Sequence, residues 1–190
     1  MKKLLILLMF CLSFVCCFSQ SKIVSKFSAE YSIAYDAMEI DFERSGLVQN
    51  FQVNYFLLDR LGFYASLGYA QQLCGLETQN SFSTLICNVG FFGDIVKTAK
   101  QQRLRIALGF DYYKGERTTS HWTSYDSGLT TTLVYDHEQL NCVGANLALS
   151  YQIPICQKLY VEPKINIYTM GKYSDFDIMF GLGCSVGYNF

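Results

Sequence analysis

Three observations predict an all-β fold, an eight-stranded antiparallel up-and-down transmembrane β-barrel. Eight segments place apolar side chains at every second position, and the connections between them alternate between long and short. After the first nineteen residues no apolar run reaches transmembrane-helix length, although 51% of the chain is hydrophobic. Successive side chains on a strand point to opposite faces, so each segment has one apolar face and one small or polar face. Each segment spans about 9–12 residues, enough for a tilted strand to cross a bilayer.

The chain opens with Met1-Lys2-Lys3, a short basic stretch, and Leu4 to Phe18 is apolar except for Ser13. Cys17 and Ser19 place small residues at the two positions read by a signal peptidase, so residues 1–19 are expected to be a cleaved signal peptide. A lipid-attachment signal at Cys11, Cys16 or Cys17 would need a small preceding residue, and Phe10, Val15 and Cys16 do not supply the expected one. Residues 20–190 are then one domain by length. The chain has 15 Lys and Arg against 16 Asp and Glu, and removing Lys2 and Lys3 makes it more acidic, which argues against electrostatic nucleic-acid binding.

The elements follow in order. Phe27, Ala29, Tyr31, Ile33 and Tyr35 form the apolar set of the first strand, opposite Ser28, Glu30, Ser32, Ala34 and Asp36. Phe51, Val53, Tyr55 and Leu57 mark the second. Leu58-Asp59-Arg60 turns the chain into the third, marked by Leu61, Phe63, Ala65, Leu67 and Tyr69. The fourth carries Leu85, Cys87, Val89 and Phe91; the fifth carries Leu104, Ile106, Leu108, Phe110 and Tyr112. The sixth runs through Val143, Ala145, Leu147, Leu149 and Tyr151 and is closed by Pro154, which has no ladder donor. Leu159, Val161, Pro163, Ile165 and Ile167 mark the seventh. The eighth sets Ile178, Phe180, Leu182, Cys184, Val186, Tyr188 and Phe190 against mostly small or polar residues.

Residues 37–46, 74–82, 114–137 and 169–175 read as the longer polar connections, and 58–60, 95–102 and 154–158 as the shorter turns. Long extracellular loops, short periplasmic turns and an even strand number are rules of transmembrane barrels, and they place both termini in the periplasm. A soluble lipocalin-type barrel would put the apolar set inside. An eight-stranded lumen is barely wide enough for its own side chains, however, and several tens of bulky apolar groups do not fit. The Gly-, Ala-, Ser- and Asn-rich set does. Tyr35, Tyr69 and Tyr112 near one end, and Tyr55, Phe91, Tyr151, Tyr188 and Phe190 near the other, match interfacial aromatic girdles.

On this alternation, and on the terminal strand that ends Val186, Tyr188, Phe190, the chain resembles the small eight-stranded bacterial outer-membrane β-barrels: the OmpA membrane domain, OmpX and OmpW. The resemblance covers essentially the whole of residues 20–190 and is one of pattern. It implies residence in the outer membrane of a Gram-negative envelope. Its implied partners are outer-membrane lipid and lipopolysaccharide, and the insertion machinery that reads Val186, Tyr188 and Phe190 as an assembly signal. Roles within that family range over scaffolding, adhesion to an extracellular ligand or surface, narrow pores and occasional lipid chemistry. No enzyme activity and no cofactor is expected here.

Glu30, Arg105, Asp111, Glu162 and Lys164 share the inward parity. Charges removed from water need partners, so these are expected to pair and plug the lumen, with Arg105 and Glu162 as the foremost pair. The competing expectation is a water-filled path with these charges as its filter. His121, Trp122 and Tyr125 fall in the longest loop and are the candidate contacts for an outside partner. His121, Asp136, His137 and Glu138 lack the spacing that pre-sets a metal site. Lipid-A deacylases of this fold carry His-x-Ser; here His137 is followed by Gln139 at that position, so the nucleophile is missing, although Glu162 lies on the following strand. Cys87 and Cys184 have lipid-facing parity, and Cys74 and Cys142 lie near enough in depth for a disulfide.

Overall fold

The computed structural model describes residues 26–38, 44–72, 81–124, 131–172 and 175–190. They form eight strands: β1 (Phe27–Met38), β2 (Arg44–Leu58), β3 (Leu61–Gln72), β4 (Ser81–Lys97), β5 (Arg103–Ser124), β6 (Thr131–Pro154), β7 (Leu159–Lys172) and β8 (Asp175–Asn189). Each pairs antiparallel with its sequence neighbour, and β1 pairs with β8 to close the barrel. The expected signal peptide, residues 1–19, lies outside the described residues.

Parity follows the alternation. Phe51, Leu67, Val89, Phe110, Val143 and Leu182 are exposed on the outer wall, while Glu30, Arg105, Asp111 and Glu162 are buried inside. In water such a wall would be a large penalty; against hydrocarbon it is the favourable surface. Cys87 and Cys184 are exposed on this wall, as their parity requires. Cys142 faces inward into an apolar cluster with Ile86 and Tyr113. Cys74 lies outside the described residues.

Two differences from the sequence reading matter. Most of the expected connection 114–137 is ladder, because β5 runs on to Ser124 and β6 starts at Thr131, with Trp122 opposite Leu133 and His121 opposite Val134. The described residues of 37–46 and 169–175 are likewise strand. Beyond a bilayer both faces of a hairpin are wet, so pairing continues while the apolar alternation that signals a strand disappears. The second difference is that β4 does not end at Phe91 but continues to Lys97 through a bulge between Asp94 and Val96. The bulge leaves Ile95 and Val96 both exposed, while Asp94 points inward.

The short turns are tightly bonded. Asp94 N donates to Arg60 O at 2.7 Å, and Thr98 N to Gln102 O at 2.9 Å. Gln101 in that second turn has φ 62°, the left-handed region, which a non-glycine residue adopts at a cost of about 1 kcal/mol. Across the seam, Phe190 N donates to Phe27 O at 3.1 Å.

Candidate functional site

The lumen is filled in layers. Nearest the short turns, Phe56 and Phe92 meet edge to face with ring centroids 5.0 Å apart. Tyr160 is fully buried at the same end, and its hydroxyl donates to Ser28 Oγ at 3.3 Å. Bulk on one strand is matched by glycine on the next. A Cβ at Gly187 would fall within the Tyr160 ring, and one at Gly62 would strike the tip of Phe92.

Around these aromatics, from the turn residue Asp59 inward to Lys164, runs the charged layer. Arg105 Nε donates to Asp94 Oδ1 at 2.8 Å, and Arg105 Nη1 stands 3.7 Å from Glu30 and 3.8 Å from Glu162. Its guanidinium carbon lies 4.2 Å from the centroid of Phe92, stacking the cation on the ring face. Arg103 Nη1 donates to the other oxygen of Asp94 at 2.7 Å and to Asp59 O at 2.9 Å. Lys97 Nζ holds the Asp59 carboxylate at 2.6 Å and 2.7 Å.

On the far wall Lys164 pairs with Glu30 and stands 3.6 Å from Glu162. Glu162 accepts from Ser150 Oγ at 2.6 Å. Glu30 accepts from Ser185 Oγ at 3.2 Å and also from Asn54. Four cations (Lys97, Arg103, Arg105, Lys164) therefore interlock with four carboxylates (Asp59, Asp94, Glu30, Glu162), and their formal charges cancel.

Of the five expected lumen charges, four meet. The foremost partner of Arg105 is Asp94 rather than Glu162, which is a Coulombic neighbour without a direct hydrogen bond to it. The reason is register: Asp94 and Arg105 are directly opposed on β4 and β5. Glu162 is two strands away from Arg105, on β7. Asp111 stands apart, about six residues further along β5, or roughly 20 Å at strand rise. It accepts from Asn146 Nδ2 at 2.9 Å, and Asn146 Oδ1 accepts from Tyr64 OH at 2.9 Å. Asp94 was legible in principle, since Asn88, Gly90, Phe92 and Asp94 continue one inward parity. Ending the strand at Phe91 concealed it.

Between the charged layer and the Tyr64–Asn146–Asp111 group is a cavity of about 50 Å³, lined among others by Arg105, Glu162, Asn88 and Ser66. At about 10–15 Å³ each it suits a few water molecules, and its polar lining offers them partners. An apolar plug of Ala34, Val48, Ala70, Ile86, Tyr113, Cys142, Met170 and Met179 closes the lumen on the other side.

The remaining sequence candidates are scattered. Val186, Tyr188 and Phe190 all face outward, and the Tyr188 and Phe190 rings meet at 5.3 Å. His121 and Trp122 lie on the projecting part of β5, and Tyr125 lies outside the described residues. His137 is exposed and shares a 3.0 Å contact between its Nδ1 and Thr118 Oγ1. It is roughly 45 Å along the β6 ladder from the level of Glu162, so the two cannot act on one bond. Among the described residues no group of three metal-ligating side chains converges.

A closed antiparallel barrel of eight strands, apolar outside and polar inside, is the architecture of a β-barrel that spans a membrane. Two solved structures show the same fold. The chain is similar to Neisserial surface protein A (NspA), with a TM-score of 0.63 and 11% identity over 87% of this chain and 98% of that one. It is also similar to the outer membrane protein OprG from Pseudomonas aeruginosa, with a TM-score of 0.50 and 8% identity over 87% of this chain and 97% of that one. At this level of identity the likeness is one of fold. No protein-family model and no curated protein sequence matches the chain.

Proposed function

We propose that this is an integral outer-membrane β-barrel whose lumen is a filled, charge-paired strut, and whose outward hairpins meet partners outside the cell. It serves as an envelope scaffold or adhesion protein, with both termini periplasmic and outer-membrane lipid and lipopolysaccharide around its wall. The observation that carries this reading is the cancelled charge of the inner layer. An ion filter works by leaving one sign of charge facing water; here each cation meets a carboxylate, and an aromatic layer and an apolar plug flank the small cavity. A hydrolytic role has no support in the placement of His137 and Glu162.

The outward contact is assigned to the β5–β6 hairpin. Pairing between β4 and β5 ends at Ser81 and Thr118, and pairing between β6 and β7 ends at Val143 and Gly171. Beyond those points β5 and β6 pair only with each other among the described residues, carrying His121 and Trp122, with Tyr125 next in sequence. Planar-bilayer recording of the refolded protein tests the filled lumen: the expected result is insertion without steady current. A reproducible, charge-selective conductance would replace this reading with that of a narrow channel.

A further inference from the structure

We propose that the short-turn rim of the barrel is a collar for anionic phospholipid headgroups of the phosphatidylglycerol class. The proposal rests on the membrane-spanning reading above. Lys26 leads into β1, and each turn at this end carries a cation: Arg60 between β2 and β3, Lys100 between β4 and β5, Lys158 between β6 and β7. Lys26, Lys100 and Lys158 are exposed and Arg60 is half-buried. The described acids at this end, Asp59 and Asp94, are buried and already held by Lys97, Arg103 and Arg105. The exposed charged side chains that this rim offers to its surroundings are therefore all cations.

Depth places that ring at headgroups. Phe27, Tyr55, Phe63, Phe91, Tyr151 and Tyr188 are exposed on the outer wall beside this rim, with Phe27 against Tyr55 at 4.9 Å and Phe63 against Phe91 at 4.7 Å. Such aromatics lie at the membrane–water interface, so cations one turn beyond them meet phosphates. Lys158 joins the two zones, its Nζ 5.5 Å from the Tyr188 ring centroid. The sign is local, since the whole chain has a formal charge of −1 and the opposite end mixes signs, exposing Lys114 beside Glu116 and Asp136. A Lys or Arg beside an anionic lipid surface is worth about 1 kcal/mol, or about fivefold in partition.

The test uses the full chain refolded into phosphatidylcholine vesicles that carry a trace of spin-labelled phosphatidylglycerol or spin-labelled phosphatidylcholine. The fraction of each label immobilised at the protein is read by electron spin resonance. The expected result is a preference for phosphatidylglycerol of about two- to fivefold at low salt, falling toward unity near 1 M salt. It should also fall toward unity in the variant Lys26→Gln, Arg60→Gln, Lys100→Gln, Lys158→Gln. The pair Lys100→Gln, Lys158→Gln, confined to exposed turn residues, should give an intermediate value and guards against misfolding of the fourfold variant. Equal immobilisation of the two lipids by the unaltered protein, or a preference untouched by salt, would overturn the collar. Failure to immobilise either lipid would instead sink the membrane-spanning reading.

Discussion

Arg105 and Asp94 face each other across the β4–β5 ladder, joined by a hydrogen bond of 2.8 Å from Nε to Oδ1 immediately before the bulge in β4. The relationship fixes the most buried cation of the lumen to a carboxylate that also holds Arg103. Breaking a buried pair strands a charge, so Arg105→Ala should destabilise the refolded barrel by about 3–5 kcal/mol. Urea titration in lipid vesicles measures it. In double-mutant cycles the coupling to Asp94→Asn should exceed the coupling to Glu162→Gln, because only the first pair shares a direct bond. A larger coupling to Glu162 would mean that the bulge does not present Asp94 as described.

Gly187 should not tolerate a side chain. An alanine there would overlap the Tyr160 ring, which is buried and bonded to Ser28. Overpacking of this kind costs about 1–3 kcal/mol. Gly187→Ala should lower the urea midpoint, and adding Tyr160→Leu should cost less than the sum of the two single changes. Strict additivity would show that the ring and the glycine do not share space.

Phe190→Asp should impair assembly into the outer membrane more than Asn189→Asp does. Phe190 is among the most exposed apolar residues, at 68%, and its ring packs on Tyr188 on the outer wall, whereas Asn189 is half-buried. The measurement is the heat-modifiable fraction in isolated outer membranes, since a closed barrel without edges resists unravelling until boiled. Equal yields from both variants would make the terminal aromatic pattern incidental.

Cys156, exposed in the β6–β7 turn, should react as a thiol more acidic than a free cysteine. Backbone hydrogen bonds from Lys158 and Leu159 lower its pKa by favouring the thiolate, outweighing the opposing effect of burial. Lowering the pKa raises the thiolate fraction at a given pH, and the thiolate is the nucleophile. In a variant retaining Cys156 as its sole cysteine, the alkylation rate should reach half its maximum at lower pH when folded than in urea. Coincident profiles would show that the turn does not hold the sulfur.

The barrel was legible because its wall obeys one rule. Phe51, Leu67, Phe110 and Leu182 could be assigned to the outside from period-two alternation, and burial inside a narrow lumen left Gly, Ser and Asn no other place. The network was half legible. Parity identified Glu30, Arg105, Glu162 and Lys164, but parity says nothing of lateral distance around a barrel, so it could not rank Asp94 above Glu162 as the partner of Arg105. The extension of β5 to Ser124 and of β6 from Thr131 was not legible, because Thr118 to Ser124 and Thr131 to Asp136 carry no apolar alternation in the sequence.

The pairing of Lys164 with Glu30 spans 134 residues of sequence and straddles β8, the last strand to be made. Tyr160 reaches Ser28 over a separation of 132. Contacts of such long sequence separation form late, since the chain must first give up the entropy of a very large loop. A barrel lacking only its final strand would leave Glu30 and Lys164 facing water instead of each other, although the ladders of the first seven strands are already in place. Closure is thereby made cooperative: Arg105 and Asp94 can pair in an open sheet, but Lys164 and Glu30 meet only in the finished ring.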